Sequence, residues 1–189
     1  MKKIMNTPET YVYDMCYGLA KAHPELEFVD KYKIVKRKEI NPDKVSLISG
    51  GGSGHEPAHA GFVGTGMLDC AVCGDVFASP SQVQVYNAIK KCATEKGVLL
   101  IIKNYSGDCM NFNNAAGDAK EDGIKVDCVY VNDDIAVKDS LYTVGRRGVA
   151  GTVFVHKIAG AAAEQGKSLE EVKAVANKVI ENVRSFGFA

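Results

Sequence analysis

Two hydrophobic patterns alternate along this chain. Residues 45–48, 68–77, 98–102 and 126–131 are short apolar, β-branched runs without strict alternation. Such runs suit strands buried on both faces of a parallel sheet. A fifth short run, 32–35, predicts one more strand. Between them, apolar residues return every three or four positions, the period of a helix with one buried face. Thr7 is placed to cap a first helix with Pro8 at its first position, Val12, Met15 and Leu19 on one side, and His23 and Pro24 at its end. Ser79 and Pro80 open a second helix carrying Val83, Tyr86, Ile89, Cys92 and Ala93. A third is predicted from about 109 to 119, and a small-residue helix over 148–163. Ser168 with Glu171 forms a capping box ahead of Val172, Val175, Val179 and Val183. Residues 185–189 read as the start of a further strand.

Strand, loop, helix, strand is the order of βαβ units. The predicted fold is a single α/β domain over 1–189, three-layered, with a mostly parallel sheet covered by helices on both faces. Composition agrees: 46% of the residues are hydrophobic and 24% charged. The formal net charge of zero argues against a basic nucleic-acid surface. No apolar run approaches the roughly 20 residues of a membrane span, and the first residues lack an apolar signal core, so the chain reads as cytoplasmic with no membrane partner. Six cysteines are scattered, and the Cys70–Cys73 pair sits in an apolar run, which favours structural burial over metal or redox work.

Candidate chemistry concentrates in GGGSGHEPAH at 50–59. His55 and His59 match the H-E-x-x-H zinc pattern, but that pattern works on one helix face, and Pro57 opposes a helix interior. His23 and His156 offer no third ligand in a metal-like setting, so no metal is expected. No lysine follows the glycines as a P-loop requires, Pro57 stands where a Rossmann glycine belongs, and His55 takes the fifth place of a nucleophile elbow. The remaining reading is general. Glycines bring backbone close to a ligand, a histidine exchanges protons near neutrality, and a carboxylate can deprotonate an alcohol. Ligands in such sheets bind beyond the carboxyl ends of the strands. Two stretches lie there, 50–55 and 103–108; if their strands are neighbours, His55 and Asp108 face one pocket suited to a small polyhydroxy or carbonyl compound. Blander roles stay open: His55 or Asp108 as a helix cap, Lys103 as the end of its strand, His59 as a packed or capping residue, Arg146 and Arg147 as a solvated or dipole-binding pair.

GGGSGHEPAHAGFVGTGMLD (50–69), GDVFASPS (74–81), LLIIKNYSGDCMNF (99–112) and VNDDIAVKDSLYTVGRRGVAGTVFVHKIAGAAAE (131–164) together resemble the dihydroxyacetone kinase family, at the N-terminal domain of its substrate-binding subunit. The resemblance runs from about the first helix to the end. It implies that Gly52, Ser53 and Gly54 cradle the substrate, that Lys103 lines the pocket through its backbone, and that His55 hydrogen-bonds the substrate and aids proton transfer. Asp108 would activate the hydroxyl that receives phosphate. It further implies a nucleotide-binding partner subunit carrying ATP or ADP with magnesium, no cofactor on this chain itself, possible supply from a phosphotransferase-system phosphocarrier, and a homodimer. In the family a further domain carries a histidine that binds the substrate carbonyl covalently. None of His23, His55, His59 or His156 matches that motif, so this chain by itself is expected to be incomplete. A non-catalytic sensor and a kinase for another short ketose are the alternatives.

Overall fold

The computed structural model describes residues 3–137 and 145–188, so positions 138–144 of the last motif above, and Ala189, lie outside the described residues. Among these the strands form one six-stranded sheet in the order β1-β2-β4-β3-β5-β6. Strands β3 (Ser46–Ser53), β4 (Cys70–Val76), β5 (Val98–Lys103) and β6 (Val126–Val131) run parallel. The hairpin of β1 (Leu26–Val29) and β2 (Ile34–Arg37) adds an antiparallel edge beside β4. Helices α1 (Tyr11–Ala22), α4 (Thr152–Glu164) and α5 (Leu169–Asn182) pack on one face. Helices α2 (Gln82–Cys92) and α3 (Ser106–Glu121) cover the other. The three layers and the mostly parallel sheet are as the sequence predicts.

Strand parity explains the buried runs. Leu99 and Ile101 enter the α4–α5 core, while Val98, Leu100 and Ile102 enter the α2–α3 core. The same parity settles the C-x-x-C pair: Cys70 and Cys73 point to opposite faces, and all six cysteines are free thiols. They are packing residues.

Several boundaries differ from the sequence reading, each for a local reason. The glycines expected in a loop belong to β3, which runs to Ser53, with Gly50 and Gly51 registered against Val72 and Cys73. A Cβ on Gly50 would lie 2.4 Å from the Val72 carbonyl oxygen, and one on Gly52 2.6 Å from the Ala78 nitrogen. Glycine here serves close strand approach. Helix α3 begins at Ser106, which puts Asp108 in its first turn; Tyr105 at the N-cap supplies no side-chain cap, so nothing in the sequence flags this start. Ser81, with Gln84, forms the capping box of α2, in place of Ser79. Helix α1 starts at Tyr11, and Thr7 instead accepts a hydrogen bond from Thr10 N in the turn before it. Residues 148–151 precede α4, held by Asp133, which accepts from Val149 N (2.8 Å) and Gly151 N (2.7 Å). Strand β1 is an addition, and the predicted 32–35 strand shifts to Ile34–Arg37 because 30–32 form a 3₁₀ turn. Val183 is the C-cap of α5, outside its buried face. Ser185 makes a single parallel bridge to Asp134.

Candidate functional site

Strand order reverses at β3: the chain leaves it toward β4 on one side, then returns to place β5 on the other. Connections that diverge this way leave a crevice at the carboxyl ends of the two central strands. A cavity of about 640 Å³ opens there, lined by Gly52, His55 and Phe77, by Ser79, Lys103 and Tyr105, and by Asp108 and Arg147 among others. The expected neighbour relation of β3 and β5 is thus present, and His55 and Asp108 face one pocket.

Each predicted residue has a definite place. Gly52 lends backbone to the cavity wall at the end of β3. Ser53 is buried, and its hydroxyl donates to the Gly74 carbonyl at 2.8 Å, so its side chain braces β3 against β4 and does not line the cavity. Gly54 takes a positive φ of 109° that only glycine adopts freely, and its N–H donates to both carboxylate oxygens of Glu56 at 3.1 Å. His55 is exposed, with its ring edge-to-face against Phe77 at 5.1 Å. Partial burial and the Lys103 charge draw its pKa below the ordinary value, with Glu56 opposing, so the imidazole is neutral at pH 7. Lys103 ends β5 and lines the cavity, its ammonium 5.5 Å from the Tyr105 ring centre. Burial lowers its pKa against the pull of Asp108 and Asp133.

Asp108 is 6% exposed. Burial pushes its carboxyl pKa up, while a hydrogen bond with Ser79 and the Lys103 charge pull it down. Its position in the first turn of α3 also favours negative charge. A partly desolvated carboxylate beside a neutral imidazole and an ammonium can take a proton from a bound hydroxyl and hold an adjacent carbonyl.

Residues 54–55 form a bend and 56–59 a turn, so His55 and His59 share no helix face of the zinc-protease kind. His59 is buried, as a packed residue, against Ser49 and His156. A second cavity of about 540 Å³ lies on the α4 side and shares His55, Lys103 and Tyr105 with the first.

Phe77 joins the site without having been named, Tyr105 comes with the stretch 103–108, and Ser79 and Arg147, read above as a helix opener and one of a solvated pair, line the cavity as well. The carboxyl-end rule extended to the other two parallel strands would have pointed to the rest, because Phe77 and Ser79 follow β4 and Arg147 follows β6. Arg147 is fixed there by Asp134, whose Oδ2 accepts from Nε at 3.0 Å and Nη2 at 2.7 Å.

Among known proteins, the Dak1 domain family matches residues 17–189. The dihydroxyacetone-binding subunit DhaK of the PTS-dependent dihydroxyacetone kinase 1 of Listeria innocua is 57% identical over 190 residues, covering 100% of this chain and 58% of that protein. The crystal structure of the dihydroxyacetone kinase of C. freundii superposes with a TM-score of 0.90 at 46% identity, over 96% of this chain and 34% of that one. The dihydroxyacetone kinase operon co-activator Dha-DhaQ superposes at 0.82 and 41% identity, over 87% of this chain and 51% of that one. The chain thus spans little more than half the length of the curated DhaK relatives it matches.

Proposed function

This chain belongs to the Dak1 domain family, and from that premise we propose that it forms the dihydroxyacetone-holding part of a kinase that makes dihydroxyacetone phosphate. The observation that carries the reading is the convergence of His55, Lys103 and Asp108 on one cavity at the β3–β5 crevice. Backbone at Gly52 lets a three-carbon ketone approach closely. Asp108 accepts the proton of the hydroxyl that attacks the phosphoryl group, and His55 donates or accepts a hydrogen bond at the substrate oxygens. Phosphoryl transfer depends chiefly on positioning and charge stabilisation, so an oriented, deprotonated alcohol is this half's contribution. The phosphate comes from a nucleotide with magnesium on a partner subunit, itself recharged by a phosphotransferase-system phosphocarrier. The working unit is a cytoplasmic homodimer of the complete subunit. No helix among the described residues is long and apolar enough to cross a membrane.

A regulatory reading is favoured by one observation, the likeness to the co-activator. The same experiment separates the two. In the complete subunit, reconstituted with its nucleotide-binding partner, Asp108→Asn is expected to lower dihydroxyacetone phosphorylation about 10²–10⁴-fold, the usual worth of a general base, while calorimetric binding of dihydroxyacetone persists. Wild-type turnover in Asp108→Asn removes the base assignment; binding without turnover in any reconstitution favours the regulator.

A further inference from the structure

One aromatic residue at the cavity is poorly placed for its own stability. Phe77 has a φ of 54°, in the left-handed region that bulky side chains rarely adopt. It sits in a turn closed by Ala78 N donating to the Asp75 carbonyl at 3.0 Å, and its own N–H donates to the Ser53 carbonyl at 2.8 Å. The glycines after Gly51 make room for it. A Cβ on Gly52 would lie 2.8 Å from the Phe77 carbonyl carbon, and one on Gly54 2.7 Å from its ring at Cε1. Phe77 nevertheless stays 70% exposed. So little burial does not offset the backbone strain, and strain held at a site without a packing gain points to a task there.

What the Phe77 ring meets is His55. The two rings pack edge-to-face, their centres 5.1 Å apart and their planes at 67°. The imidazole has little else to orient it. Among the described residues its ring makes no hydrogen bond. It also borders both cavities, the one that holds Asp108 and the one on the α4 side. An imidazole free to turn between them would spend part of its time away from a substrate in the first. We propose that Phe77 is a positioning residue for His55: its ring, seated over Gly54, holds the imidazole at the cavity that contains Asp108. Its catalytic meaning rests on His55 acting at the substrate oxygens. That role gives a reason for an aromatic residue at a backbone position that favours glycine.

The charged groups acting on His55 are Lys103 from β5 and Glu56 next in the chain; His59 also feels its charge. Phe77 carries no charge, so replacing it leaves all of these in place and changes only the shape around the imidazole. Because Phe77 is so exposed, its truncation removes little core, and the variants below are expected to fold.

The test is ¹³C relaxation of the His55 ring in the complete subunit without partner or substrate, set beside turnover with the nucleotide-binding partner. In Phe77→Ala the ring order parameter should fall into the flexible range, below about 0.6. There kcat should fall about tenfold or more, with KM for dihydroxyacetone changed less, as a lost orientation predicts. Phe77→Tyr keeps the aromatic contact and should hold both readouts near wild type. Phe77→Gly relieves the positive φ, so it should melt no lower than Phe77→Ala while losing the same activity. A His55 ring as ordered in Phe77→Ala as in wild type overturns the proposal. So does an unchanged kcat in Phe77→Ala where His55→Asn is impaired. A loosened ring together with undiminished turnover in His55→Asn would keep the contact and remove only the histidine's part in the reaction.

Discussion

Asp108 sits where its charge is poorly solvated, and that has a cost in stability. Its folded pKa lies above the unfolded value, so its contribution is most favourable below about pH 4 and is lost as pH rises through the raised folded pKa. At neutral pH, Asp108→Asn is therefore expected to raise Tm; a lowered Tm in a thermal melt would contradict this. The buried histidines act in the opposite sense. His156 is lowered to about 3 and His59 well below 6.5, both by burial. Unfolded histidine takes up protons below about pH 6.5 and the folded rings do not, so stability is present above that value and declines from it toward pH 3. Denaturant titrations of His156→Phe at pH 7 and pH 4.5 should show a smaller loss on acidification than wild type. His55 and Asp108 were legible from residue type and place. The His59–His156 contact was not, because 97 residues separate the partners and no spacing rule spans them.

The glycines of β3 give a sharp contrast at the scale of the element. Ala at Gly50 would press on the Val72 carbonyl, and Ala at Gly52 on the 77–78 backbone. Each should cost about 1–3 kcal/mol in chemical denaturation, the usual penalty of overpacking. Gly51→Ala meets nothing closer than 3.4 Å and should fold with near wild-type stability. Equal losses at all three would mean that these glycines matter through backbone entropy alone. At α5, Ser168→Ala removes one arm of the capping box and should cost about 1 kcal/mol. That box was readable in the sequence because it is local. The start of α3 was not readable, since its N-cap is a tyrosine without a capping bond. Strand β1 escaped notice because only Leu26 of its four residues is buried, which leaves little hydrophobic pattern.

The whole molecule separates its stability from its chemistry along the strands. At the amino ends, away from the cavity, Lys44 Nζ donates to both oxygens of Asp69 (2.9 and 2.8 Å) and pairs with Glu164 at 3.1 Å. Arg37 joins the same two carboxylates, and Leu47 N donates to Asp69. This cluster ties the hairpin, the central strands and the end of α4 together. Asp69→Ala leaves a buried ammonium short of a partner and should cost about 3–5 kcal/mol, with the cavity residues untouched. Asp122→Ala, at the exposed Lys90 pair, should leave Tm unchanged. If Asp69→Ala melts like wild type, the cluster is not what joins the layers.

By itself the sequence determined the layer architecture, most of the strands, the second capping box and the two stretches that bear His55 and Asp108. These follow from periodicity and local capping, which act over a few residues. Tertiary structure alone decided that GGGSGH begins as strand, because the pressure of β4 on Gly50 comes from 22 residues away in the register Gly50↔Val72. It also decided that Ser79 and Arg147 line the cavity with Asp108 and that His59 meets His156, since strand order brings them together and a linear pattern carries no record of strand order. The stretch GGGSGHEPAH at 50–59 is thus a glycine strand, a turn and a buried histidine.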